Sequence, residues 1–167
     1  MKKIIGIMGP SKAEEQDLIN AYEIGKYCAK HGYVTLTGGL KYGVMDESLK
    51  GAKDGGGLTV GIMPTEDKSK YSEYVDIAIV TTMSEGRNYI EMWTSDIVVV
   101  CGISIGTSTE VSLAIKPGKK IILVDSYEEA ITFYKKLAPN QIYVAKGYEE
   151  AIKIMEEILL KGEVKWK

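Results

Sequence analysis

Ile97-Val98-Val99-Val100-Cys101, followed by Gly102-Ile103-Ser104-Ile105-Gly106-Thr107-Ser108-Thr109-Glu110, is the stretch on which the fold turns. Five consecutive apolar residues, mostly β-branched and without alternation, mark a strand buried on both faces, as in the centre of a parallel sheet. The glycine-, serine- and threonine-rich run then ends the strand and opens a helix expected over residues 107–115. Outward in both directions the same alternation recurs. Strands are expected at 3–8, 33–37, 58–63 and 75–80, with helices at 13–30, 44–54 and 87–94. Further on come strands at 120–124 and 142–145 and helices at 128–137 and 148–160. Strand–helix alternation from end to end predicts an α/β fold, a doubly wound parallel sheet flanked by helices. One domain over 1–162 and a tail at 163–167 account for the chain. The polar segment 66–73 reads as a mobile surface loop.

The bulk composition limits what such a domain can do. The chain has 167 residues, 45% hydrophobic and 26% charged, enough for one ordinary core. A net charge of −2 argues against a nucleic-acid surface, which shows as a basic domain. Cys28 and Cys101 read as buried, inert thiols, and His31 is the sole histidine, so His-based triads and His-rich metal sites are excluded. No metal is expected. The first apolar run is too short for a signal-peptide core and no stretch reaches membrane-spanning length, so a cytoplasmic location without membrane contact is expected. Five Asn and Gln in total, with charge carried by Lys and Glu, lean toward a thermophilic source.

Arg87 is the only arginine among twenty-one basic residues. Its planar fork can hold a phosphate or carboxylate bidentately, which a lysine cannot. The alternative is an ion pair with Glu91, one helical turn on.

Ligands of such sheets bind outside the carboxyl ends of the strands. Three glycine-bearing junctions lie there. The first, Gly6 to Ser11, offers Gly9 and Ser11. The second, Thr37 to Gly43, offers Gly38, Gly39 and Gly43, with Met45 just inside the next helix. The third offers Gly102, Ser104, Gly106, Thr107 and Thr109. Glycine admits close backbone approach, and a helix start presents free N–H groups to a phosphate. Glycines serving tight turns are the competing explanation. None of the three is a P-loop or a dinucleotide fingerprint, and Thr35-Leu36-Thr37 lacks the acidic residue that would read a ribose. Glu110 is either a capping-box partner of Thr107 or a carboxylate facing the ligand.

The run Ser84-Glu85-Gly86-Arg87-Asn88-Tyr89, then Ser95-Asp96, then a strand and Gly106-Thr107-x-x-Glu110, resembles the family of cytokinin-activating LOG proteins, often mislabelled as lysine decarboxylases. The stretch from Thr37 to Pro64 is similar to it too. The resemblance implies a Rossmann-like, usually dimeric nucleotide-binding domain. It also implies a phosphoribohydrolase that cleaves the N-glycosidic bond of a nucleoside 5′-monophosphate such as AMP. Arg87 and Glu110 would be the catalytic pair, with Gly106 and Thr107 at the phosphate. No cofactor would be required, the ligand being a phosphate-bearing nucleotide. Arg87 would orient the ligand and hold Glu110 ionised. Tyr89, Ile90, Met92 and Trp93 would form either a homodimer interface or core. One departure stands out: Gly102-Ile103-Ser104 replaces the family's usual double glycine, and an isoleucine would narrow the approach to phosphate. That favours the alternative, a non-catalytic nucleotide or molybdenum-cofactor binding or carrier protein, to which the family is also similar.

Overall fold

The computed structural model describes residues 1–161. The expected tail at 163–167 lies outside the described residues, as does residue 162. Seven strands form one sheet: β1 (Ile4–Met8), β2 (Val34–Thr37), β3 (Leu58–Met63), β4 (Ile77–Val80), β5 (Ile97–Cys101), β6 (Lys120–Val124) and β7 (Ile142–Ala145). The helices are α1 (Glu15–Lys30), α2 (Gly43–Asp54), α3 (Arg87–Thr94), α4 (Ile105–Ile115), α5 (Glu128–Leu137) and α6 (Gly147–Lys161).

The strand order is β4-β3-β2-β1-β5-β6-β7, and every pairing is parallel. The chain winds outward from β1 to β4, crosses back through α3, and starts β5 against the other side of β1. Ile5 pairs with Ile97 and Met8 with Val100 in that ladder. The expected doubly wound α/β sheet is therefore what forms, and its direction reverses between β1 and β5.

The unbroken apolar run of β5 is explained by a helix layer on each face. Val99 and Cys101 pack with Ile24 and Cys28 of α1, Val44 of α2 and Met155 of α6. Val98 and Val100 pack with Met92 of α3, Val111 of α4 and Tyr134 of α5. Burial of each such side chain contributes about 1.5–3 kcal/mol before chain entropy is counted. β4 has no such cover: all four of its residues are exposed.

Two expectations change locally. α4 begins at Ile105 rather than at Thr107, because Ser104 takes the N-cap and its hydroxyl accepts from the Thr107 N–H at 3.3 Å. The 66–73 segment is tied down rather than free. Tyr71 bridges to Leu40, the Ser72 N–H donates to the Gly39 carbonyl at 2.9 Å, and the Tyr71 hydroxyl donates to the Thr65 carbonyl at 2.7 Å. The suggested interface residues divide: Met92 is core and Ile90 packs on it, while Tyr89 and Trp93 stack on each other at the surface. Among the described residues no helix is long and apolar enough to cross a membrane.

Candidate ligand-binding cleft

A cleft of about 340 Å³ opens where the sheet reverses direction. Its walls include Gly9 and Ser11 after β1, Met45 in α2, Arg87 at the start of α3, and Ser104, Gly106, Thr107 and Glu110 at the start of α4. These eight expected positions come together from both halves of the sheet.

The α4 end is built for an anion. With Ser104 as N-cap, the first-turn amides of Ile105 and Gly106 have no partner within the helix and point toward the cleft end of its dipole. The hydroxyls of Ser104 and Thr107 stand 2.9 Å apart, beside a glycine with no side chain to block approach. The capping-box explanation of Glu110 falls, because the cap is Ser104 and Thr107 is already the third helical residue. Glu110 is left to face the cleft.

Arg87 is engaged within the protein. It is 6% exposed, and its Nη1 pairs with Glu91 Oε1 and donates to the Ile62 carbonyl at 3.2 Å. Glu91 is completely buried, and that burial pushes its carboxyl up against the pull of Arg87. The ion-pair alternative for Arg87 is thus the one observed. Gly38 is required by it, since any side chain there would collide with the guanidinium. Arg87 Nε remains buried without a partner among the described residues.

Burial also raises Glu110, to about 7, with Arg87 pulling it down and Glu85 pushing it further up. The expectation that Arg87 holds Glu110 ionised is corrected: desolvation outweighs the arginine, which is already engaged by Glu91.

The remaining expected residues sit outside the cleft. Gly43, at φ +52°, lets the start of α2 pack on the Pro10 and Ser11 carbonyls, and the Val44 N–H donates to Pro10 at 3.2 Å. That helix start is already partly satisfied by protein. Gly39 is packed against Met63 and Gly61, and Gly102 against the Asp17 carboxylate. Thr109 is exposed and bonds back to the Ile105 carbonyl. Ile103 does not narrow the phosphate approach: its side chain packs on the apolar layer beneath α4.

Four cleft residues escaped sequence reasoning: Leu40, Tyr42, Glu85 and Asn88. For Asn88 a signal existed, since it directly follows the only arginine. The loop that delivers Glu85, Arg87 and Asn88 is strained, with Thr82 and Ser84 in the left-handed region at φ +56° and +50°. It is pinned by the Ser84 N–H donating to the Pro64 carbonyl at 3.1 Å.

A parallel sheet with an anion-ready helix start and buried polar groups at its crossover defines a Rossmann-like domain. The chain belongs to the SLOG cluster4 family, whose profile it matches over residues 2–152. It is similar to the molybdenum cofactor binding protein from the phototrophic bacterium Rippkaea orientalis. The two are 42% identical with a TM-score of 0.91, covering 95% of this chain and 98% of that one. The molybdenum cofactor carrier protein of Chlamydomonas reinhardtii is 40% identical with a TM-score of 0.92, covering 97% and 100%. A protein of Archaeoglobus fulgidus described as uncharacterized is 39% identical over 117 residues, 70% of this chain and 76% of its own length.

These matches overturn the expectation of a hydrolase. The extensive similarities are to proteins that bind or carry the molybdenum cofactor, not to a phosphoribohydrolase. They equally overturn the expectation that no cofactor is involved and that a simple nucleotide is the ligand. Geometrically, the fork expected to meet the ligand is engaged inside the protein, its Nη1 pairing with Glu91 and donating to the Ile62 carbonyl.

Proposed function

We propose that this protein binds the molybdenum cofactor, a phosphate-bearing pterin with its metal, and carries it without chemical change. The observation that carries the reading is the anion-ready start of α4 in a cleft of suitable size, on a chain similar over nearly its whole length to two proteins so described. Gly106, Thr107 and Ser104 hold the phosphate through first-turn amides and hydroxyls. Gly9 and Ser11 close the opposite wall, and Met45 supports it. Glu110, raised toward neutrality, spares an anionic cargo the repulsion of a second full charge.

Both cysteines are fully buried in the core, away from the cleft. The cargo's metal therefore meets no thiolate of this chain, which suits a holder that must let go. A homodimer, expected from the resemblance, would be seen by sedimentation as twice the 18.4 kDa chain mass.

The test is to express the protein in a host that makes the cofactor and purify it. Molybdenum by elemental analysis and pterin by fluorescence after oxidation should co-elute with the protein in equal amounts. Thr107→Val should lower both together. Protein that emerges free of pterin and metal, from cells shown to contain the cofactor, would refute the reading.

A further inference from the structure

We propose that Asn88 recognises the ring of the bound molecule, pairing its carboxamide with a ring edge that sets an N–H beside a carbonyl, as the lactam of a pterin does. This deepens the carrier reading and rests on it. Asn88 lines the cleft yet is only 2% exposed. Its Oδ1 is buried with no hydrogen-bond partner among the described residues. A buried amide oxygen left unpaired is costly, and native structures almost always pair such groups. No hydrogen bond joins it to the neighbours that share its helix turn: Arg87 Nη1 is taken by Glu91 and the Ile62 carbonyl, and Arg87 Nε does not reach it.

A carboxamide presents an acceptor and a donor side by side. A lactam edge satisfies both at once: the ring N–H donates to Oδ1, and the ring carbonyl accepts from Nδ2. The placement also fits a two-ended ligand. The phosphate site is at the start of α4 and Asn88 at the start of α3, two packed helices whose N-termini face the same cleft. One end of the molecule is gripped as an anion and the other read as a ring. Sites built around such polar pairs discriminate strongly against analogues lacking the matching group.

The experiment uses the full chain and calorimetric titration with a metal-free phosphopterin and with ribose 5-phosphate, which has the phosphate and no ring edge. Wild type is expected to bind the phosphopterin at least tenfold more tightly. Asn88→Leu, close in shape, should lose that margin while keeping ribose 5-phosphate within twofold. Equal weakening of both probes would mean that Asn88 only shapes the cleft, and unchanged phosphopterin binding would likewise overturn the proposal. Asn88→Ala serves the same comparison if the leucine variant does not melt cooperatively. A wild type that binds ribose 5-phosphate but not phosphopterin would sink the carrier reading instead. GMP, whose ring has the same lactam edge, then tests Asn88 alone: a tenfold loss in Asn88→Leu sustains it, and none overturns it. A wild type that binds no probe overturns both.

Discussion

β5 and β4 are written almost alike, Ile-Val-Val-Val-Cys and Ile-Ala-Ile-Val, yet every residue of the first is buried and every residue of the second exposed. Both are wholly apolar and rich in β-branched residues. Their neighbours differ: β5 lies between β1 and β6 with helices on both faces, whereas β4 has β3 alone. A strand's apolar character states that it can be buried, and its place in the winding order decides whether it is. The difference has a functional side. β5 ends three residues before the cap of α4, so the candidate anion site stands on the fully buried centre of the sheet. β4 leads into the strained loop that delivers Arg87 and Asn88.

The sharpest way to break this comparison is a charge in each strand. Val99→Asp strands a carboxylate between two helix layers and should abolish folding, at a cost of about 4–5 kcal/mol or more. Ile79→Asp on β4 should cost under about 1 kcal/mol in urea titrations of the isolated chain. Comparable losses in the two would mean that β4 is covered in solution, and a drop in sedimenting mass would identify the cover as a second copy.

Next in size is the pair that fastens the end of the β4 loop to the core. Glu91→Ala leaves the Arg87 guanidinium buried without its partner and should cost about 3–5 kcal/mol. Arg87→Leu with Glu91→Leu should recover much of it, since the buried pair is a device of placement more than of stability. Gly38→Ala, which pushes a methyl into the guanidinium, should cost about 1–3 kcal/mol. Failure of melting temperature to fall in that variant would show the arginine free to move.

The effect spread most gradually is with pH. A carboxyl raised on folding binds more protons in the native state, so its contribution favours folding at low pH and fades as pH climbs. For Glu110 the window runs from its ordinary value of 4.5 to about 7. The melting temperature should decline across that range relative to Glu110→Gln, whose profile should be flatter. Parallel profiles would place Glu110 in solvent.

The sheet, its parallel direction and most element bounds were legible because the apolar runs are short, β-rich and punctuated by glycine. The cleft was legible only where its residues adjoin strand ends. Leu40 and Tyr42 lie in a junction read only for its glycines, Asn88 beside the only arginine, and Glu85 reaches the cleft through packing that no local pattern records. The role of Ile103 was misread because its direction depends on the geometry of one turn, with Gly102 at φ +79°. Glu110 was tied to the wrong cap for a similar reason: three hydroxyls in five residues, Ser104, Thr107 and Ser108, compete for one helix start. Arg87 was recognised as singular, but its partner was decided by how deeply α3 sinks.

The reversal between β1 and β5 has one more consequence. Ser11 and Ser104 stand ninety-three positions apart in the chain, and the halves they end meet through a ladder of four residue pairs and the packing of α1 on α6. A molecule lodged between them acts as a rivet. It would bind only the assembled state, so occupancy would be reported by resistance to heat, and a chain whose two halves came apart would surrender its ligand.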